Sequence, residues 1–294
     1  MLRHYVRRAS NAAVQFIFAR RQFKLFLRVT LGQADLRMHA LAAATSFFST
    51  MVRPVIIEAP FGSSVLVLAP HQDDEVIGCG GAMALQCRSG RGLQVVVLQD
   101  GADEHAQVFL TREELRERRN AESRAAARVI DAEVPLFLGK RNLREDVETT
   151  AASLRDCIES RKVDVVFTPF ALDGDRDHRA SNVILARALM GVKRRIRVLQ
   201  YEVWAHCIPN VVVVIDGVVE QKEKMLTCFE FANSAVNYTH AVMGLGMSRS
   251  RLLPAGRARY VEAYFETPKE EFLDIMQALE AAERKAQRPS DIQA

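Results

Sequence analysis

The sequence predicts a doubly wound, Rossmann-like α/β fold: a mostly parallel sheet with helices on both faces, preceded by a basic helical extension. Three observations carry this. From about residue 62 onward, short β-branched runs recur with near-continuous hydrophobicity, as strands buried on both faces require. Helical stretches alternate with them, the order of elements that builds a parallel sheet. Hydrophobic residues make up 49% of the 294-residue chain and charged residues 26%, which is enough to fill a core. No charge-free run approaches the 20 or so residues that a bilayer span needs.

Residues 1–60 are expected to form the extension and residues 61–294 the main domain. Asn11 to Leu31 holds no Gly or Pro, and Arg20, Lys24 and Arg28 recur every four residues, on one helical face. Such a stripe suits an anionic membrane surface or an acidic partner, and equally a helix packed on the body with a solvated edge. Arg20, Arg21 and Lys24 interrupt the apolar run of a secretory signal, whereas a cleavable organelle presequence fits the shortage of acids. Strands are expected at 64–69, 94–99, 134–138, 163–168, 197–201 and 211–215. Helices are expected at 80–89, 112–130 (opened by a capping box from Thr111 to Glu114), 150–161 and 180–190. Residues 217–250 read as a helix and then irregular loop. A terminal helix starts from a second capping box, Thr267–Glu270, and fades near Ala286.

Charge and cysteine usage exclude several classes. The first 60 residues carry nine Lys/Arg against two acids, while the remaining 31 basic residues face 34 acidic ones. The main domain therefore has no positive surplus to neutralise phosphates, and nucleic acid is not an expected partner. Five cysteines, odd in number and never in C-x-x-C pairs, do not make a disulfide scaffold and point to a reduced, cytoplasmic setting. If the extension binds lipid, that setting is peripheral to a membrane.

The chemistry concentrates in two loops. His71-Gln72-Asp73-Asp74-Glu75 follows the first buried strand, at the strand end where open α/β sheets bind ligands. His71 and Asp74, three apart in a turn entering a helix, can face one ion, with Asp73 aimed towards a water on that ion. Zinc held by nitrogen and oxygen ligands with one open position is the usual hydrolytic arrangement. One of these acids could instead be an ordinary helix cap. The following Gly78-Cys79-Gly80-Gly81 comes too late after the strand for a dinucleotide fingerprint, and reads as backbone passing close behind the site. The second loop, Asp173-Gly174-Asp175-Arg176-Asp177-His178-Arg179, follows another strand and offers His178 as a third ligand. Together the loops can supply a His–Asp–His set that neither contains.

These motifs resemble the PIG-L/LmbE-like family of zinc-dependent N-acetylglucosaminyl deacetylases. The family's usual opening is H-P-D-D-E, so Gln72 replaces a proline that is not a ligand. The resemblance spans roughly residues 62–265, including Tyr201-Glu202-Val203-Trp204 and Val261-Glu262-Ala263-Tyr264-Phe265. It implies that His71, Asp74 and His178 bind zinc, with Fe(II) or another divalent ion as a substitute. It further implies that Asp73 is the general base and that Arg119 meets the substrate, an N-acetylated amino sugar. Two positions depart from the family. Asp175 stands where the loop commonly has a histidine that helps to stabilise the oxyanion. Asn142 stands where a sugar-binding aspartate is often found. His206 and His240 are candidates to replace the missing histidine. The expected activity is zinc-dependent N-deacetylation, with a glycoconjugate or lipid-linked glycan precursor among the candidate substrates. The alternative is a zinc-bearing sugar-binding or regulatory module without turnover.

Overall fold

The computed structural model describes residues 54–102 and 110–286. Most of the expected basic extension, residues 1–53, lies outside the described residues. Its last part does not extend a helix: Val55–Ile56 forms a short edge strand, β1, parallel to a strand of the main sheet.

The described strands are β1, β2 (Ser64–Ala69), β3 (Gly92–Gln99), β4 (Leu136–Lys140), β5 (Val165–Pro169), β6 (Arg197–Tyr201), β7 (Val211–Val214) and β8 (Val261–Pro268). They form one sheet in the order β1-β7-β8-β6-β5-β2-β3-β4. All pairings are parallel except those of β8, which runs antiparallel between β6 and β7. From β2 the chain steps outward through β3 to β4, then returns to pair β5 on the other side of β2. The order of strands reverses at the β2/β5 boundary, the switch point where such sheets open a crevice at their C-terminal ends.

Side-chain alternation explains the continuous apolar runs. On β2, Val65, Val67 and Ala69 enter one core while Leu66 and Leu68 enter the other. The first core is closed by α1 (Asp74–Arg88), α2 (Arg112–Val129) and α5 (Val219–Thr227), through residues such as Met83, Ala126 and Met225. The second is closed by α3 (Val147–Ser160), α4 (Arg176–Leu189) and α8 (Lys269–Ala286), through Leu154, Ile184 and Phe272. No described helix is long and apolar enough to cross a membrane.

Several boundaries differ from those the sequence suggests. Residues 134–138 are expected as a strand, but Val134 is 68% exposed and β4 starts two residues later. Residues 217–250 fold into α5, α6 (Glu230–Ala235) and α7 (Tyr238–Arg249), not one helix and a loop. β8 occupies a stretch with no strand expected. The Thr111–Glu114 capping box forms, with the Thr111 amide donating to Glu114 Oε2 at 2.8 Å and the Glu114 amide to Thr111 Oγ1 at 3.3 Å. The one expected at Thr267–Glu270 does not: Thr267 ends up within β8, its buried hydroxyl without a hydrogen-bond partner.

The largest shift is in α1, expected from Gly80 but beginning at Asp74. Its ladder is broken at Cys79, whose φ of −143° and ψ of 24° are not helical. A buried ion pair bridges the break. Lys222 Nζ donates to the freed Ile77 carbonyl at 3.1 Å, and Glu262 accepts from the Gly81 and Ala82 amides at 2.7 and 2.8 Å. Lys222 and Glu262 meet at 2.6 Å, and Tyr264 donates its hydroxyl to the same carboxylate. The glycines are needed for close approach: a Cβ on Gly78 would lie 2.0 Å from the Tyr201 ring, and one on Gly81 2.5 Å from Ile215. Tertiary packing thus overrides the poor helix propensity of glycine. Glu262→Gln leaves the Lys222 charge buried without its counter-charge. The expected loss of stability is about 3–5 kcal/mol by urea denaturation; a loss under about 1 kcal/mol would mean that the pair does not hold the break.

Candidate metal centre

The loop after β2 and the first turn of α4 after β5 converge at the switch point. Asp74 Oδ2 lies 3.1 Å from His71 Nδ1 and 3.3 Å from His178 Nε2. His71, Asp74 and His178 thus bring three ligand atoms within 4.8 Å of one another. His71, Asp175 and Asp177 form a second such group sharing one histidine.

The donor set fits a divalent ion on two counts. Both ring nitrogens of His178, 0% exposed, lack a hydrogen-bond partner. Moreover, ligands of a tetrahedral zinc at about 2.0–2.2 Å are separated by about 3.3–3.6 Å, close to the two histidine–Asp74 spacings. Each histidine also has a carboxylate on its other nitrogen, the usual way to fix a metal-binding imidazole. Asp173 Oδ1 lies 3.4 Å from His178 Nδ1, and Asp177 Oδ2 lies 3.6 Å from His71 Nε2. Asp173 is itself anchored by the amides of Asp175, Trp204 and Ala205.

Asp73 is held differently. It occupies the N-cap position of α1 with φ at 121°, a backbone conformation rare for a residue with a side chain, and makes no side-chain capping bond. Such strain persists only where its surroundings impose it. Here the Asp73 carbonyl accepts from the Val76 and Ile77 amides, and Arg119 donates to the preceding carbonyl of Gln72 at 2.7 Å. Arg119 also stands 3.3 Å from Asp73 Oδ2 and packs over the Phe231 ring. The Gln72 side chain is buried and donates to Asn120 of α2 at 2.8 Å, tying the loop to the helix that carries Arg119. An ordinary capping role for Asp73 is thereby removed. Glu75 lies behind, accepting from the Asp73 amide and the Ser123 hydroxyl.

Electrostatics follow from this crowding. Burial disfavours the charged imidazoles, but Asp177 and Asp74 raise His71 to about 9, and Asp74 with Asp173 raises His178 to about 11. Burial also opposes ionisation of Asp74, yet the two histidines hold it well below the usual carboxylate range. Burial raises Asp73 to about 7 against the pull of Arg119, and raises Glu75 to about 8. A cation binding here takes the place of the histidine protons. At pH 7, titration calorimetry in buffers of different ionisation enthalpy should therefore show about two protons released per zinc, and affinity rising with pH. Zinc binding with no proton release would place the ion on other ligands.

His71, Asp73, Asp74, Arg119 and Asp175 all line one cavity of about 360 Å³, together with Gln99, Asp177, Trp204 and Tyr238. Asp175 doubles as the cap of α4, its Oδ1 accepting from the Asp177 and His178 amides at 2.7 and 3.2 Å. Asn142 is not among the lining residues: it donates to Glu145 and accepts from the Arg144 amide within its own loop. His206 and His240 do not line the cavity either; His206 is 69% exposed. Asp173 and Asp177 lie in the polar loop that the sequence singles out, but the sequence assigns them no role. Tyr238 arrives from a distant element and carries no local signal of a site, whereas Trp204 ends the Tyr201–Trp204 stretch of the resemblance, which assigns it no role.

The fold and this cluster define an α/β protein with a candidate His–Asp–His metal site at its switch point. Residues 66–189 match the family model of PIG-L, GlcNAc-PI de-N-acetylase. Over that stretch the chain is similar to the PIG-L/LmbE-like deacetylase family. Among solved structures, a conserved protein of Thermus thermophilus matches with a TM-score of 0.60 and 23% identity, over 69% of this chain and 94% of that one. The N,N'-diacetylchitobiose deacetylase of Pyrococcus horikoshii matches at 0.58 and 20%, over 71% and 85%. The 4-carboxy-2-hydroxymuconate hydratase of Pseudomonas putida matches at 0.55 and 20%, over 70% and 96%. At these identities the likeness is one of fold, and it extends to a hydratase as well as deacetylases. A search of curated proteins finds no match.

Proposed function

We propose that the chain is a metal-dependent hydrolase that removes the acetyl group from an N-acetylglucosamine-type amino sugar. The observation that carries this reading is Asp73, which lines the same cavity as His71 and Asp74 without belonging to the His71–Asp74–His178 set. His71, Asp74 and His178 would hold the ion, zinc by ligand chemistry, with Fe(II) accepted by the same donors. A divalent ion there supplies Lewis acidity and lowers the pKa of a water. Asp73 takes the proton of the attacking water and returns it to the departing nitrogen, yielding acetate and a free amine. Arg119 keeps the Asp73 carboxylate turned into the cavity, and Asp175 lines the wall that the sugar meets.

The test is acetate release by the zinc-loaded protein from N-acetylglucosamine and N,N'-diacetylchitobiose. Acetate and free amine in equal amounts, abolished by chelation, are expected. Bound zinc without acetate across a panel of N-acetylated sugars would favour a non-catalytic sugar-binding module instead. The proposal extends to residues 1–60 as an anchor for an enzyme acting on a glycolipid or other surface precursor. Replacing Arg20, Lys24 and Arg28 with glutamate should then weaken co-sedimentation with anionic vesicles. Unchanged sedimentation would remove the anchor and leave the chemistry untouched.

A further inference from the structure

Attack on an acetamide places negative charge on the carbonyl oxygen, and a hydrogen-bond donor aimed at that oxygen stabilises it. Most polar groups in the cavity are unsuited to this. Asp73, Asp74, Asp175 and Asp177 are carboxylates, which repel an oxyanion. His71 belongs to the metal set. Gln99 sits by Asp177 and favours its ionised carboxylate, and Arg119 is tied to the Gln72 carbonyl and to Asp73. Asp175 offers no remedy through its backbone partners, since its Oδ1 is committed to capping α4. Two side-chain donors remain: the Tyr238 hydroxyl and the Trp204 indole N–H, both lining the cavity and neither hydrogen-bonded to any described residue.

Tyr238 is the better placed of the two. It starts α7, and its ring meets Trp204 edge-to-face, with centroids 5.7 Å apart and planes at 70°. Trp204 is in turn fixed through its backbone amide to Asp173, the carboxylate behind His178. Trp204 itself is 57% exposed, out where water competes for its N–H, whereas Tyr238 is half-buried. Burial, then Asp73 and Asp74, push the Tyr238 phenol up, so it stays protonated and able to donate at neutral pH.

We propose that Tyr238 is a catalytic residue that donates its phenolic hydrogen bond to the developing oxyanion, the task left open by Asp175. The inference rests on the hydrolase reading for the carbonyl that it serves. No proton leaves the phenol: the water oxygen bonds to the carbonyl carbon, the C=O π pair moves onto oxygen, and the water's proton goes to Asp73. When the C–N bond breaks, that pair re-forms the carbonyl and the proton passes to nitrogen.

The experiment compares the zinc-loaded full chain with its Tyr238→Phe variant, which keeps the ring against Trp204. Methylphosphonate, a tetrahedral oxyanion shaped like the hydrated acetyl group, is titrated into each by calorimetry. The variant should bind it about 10–100-fold more weakly, the loss typical of a hydrogen bond to a charged group, at unchanged zinc content. On a cleaved sugar, kcat should fall with KM within a few-fold. Equal methylphosphonate affinity in the two proteins, or no binding by either while zinc is bound, overturns the assignment. Tyr238-dependent binding without acetate release would remove the hydrolase reading and leave the donor in place. Acetate release with equal binding would do the reverse.

Discussion

Alanine at His71 or at His178 should each reduce bound zinc from about one per chain to below a tenth, as measured by elemental analysis after gel filtration. A three-ligand site that loses one neutral imidazole keeps too little affinity to survive the column. The two variants are not redundant. His178 is fully buried, so its removal also leaves Asp74 and Asp173 facing a hole, and the variant should melt earlier as well as lose metal. His71 has 22% of its side chain exposed, and its replacement should leave the fold intact. The pair also decides between the two acidic groupings at this end of the sheet. An ion on His71, Asp74 and His178 is lost in both variants. One on His71, Asp175 and Asp177 is lost only with His71. Retention of zinc by both would sink the metal centre altogether. Asp173→Asn, which loosens the carboxylate behind His178, should weaken zinc by about 10–100-fold without abolishing it.

The residues of the candidate metal cluster are legible in the sequence because its parts are short and local. His71 and Asp74 are three residues apart at the end of a recognisable strand, and His178 sits in the matching loop of the strand that proves to be adjacent. The pairing of β2 with β5 follows from the doubly wound pattern once the strands are recognised. What the sequence concealed depends on contacts across long separations. The acidic cluster read as loop because α1 begins on its candidate ligands and then breaks at Cys79. Lys222 and Glu262, which bridge that break, are 145 and 181 residues from the backbone groups they bond. β8 has no such signal, because a single antiparallel strand inserted into a parallel sheet leaves no alternation of strand and helix to read. Tyr238 looks like an ordinary aromatic residue until α7 carries it to the cavity, and Trp204, though part of the resemblance, has no assigned role until the loop after β6 places it there. Asn142 shows the converse: its sequence position suggested a role, yet it bonds within its own loop.

Asp73→Asn should separate metal binding from turnover more cleanly than any other change in the cavity. The residue is outside the ligand set, so zinc content is expected to stay at the wild-type level. Its amide keeps the size of the side chain and can still lie beside Arg119. It cannot accept a proton, however, and kcat should fall about 10²–10⁴-fold, the usual contribution of a positioned base, with KM within a few-fold. The pH profile adds a second readout. In the wild type only the ionised carboxylate works, so kcat rises with pH as Asp73 loses its proton. Burial, against the pull of Arg119, pushes that step up to about 7, and a divalent cation among the neighbouring ligands would pull it down. The rising limb should therefore lie at or below about pH 7 and vanish in Asp73→Asn. A variant that kept both its turnover and its acid limb would move the base to another group. Glu75 is a poor substitute: it is buried, pushed up to about 8, and occupied with the Asp73 amide and Ser123. The strained backbone at Asp73 then has a function, since it turns one carboxylate out of the helix cap that its position would otherwise make it serve.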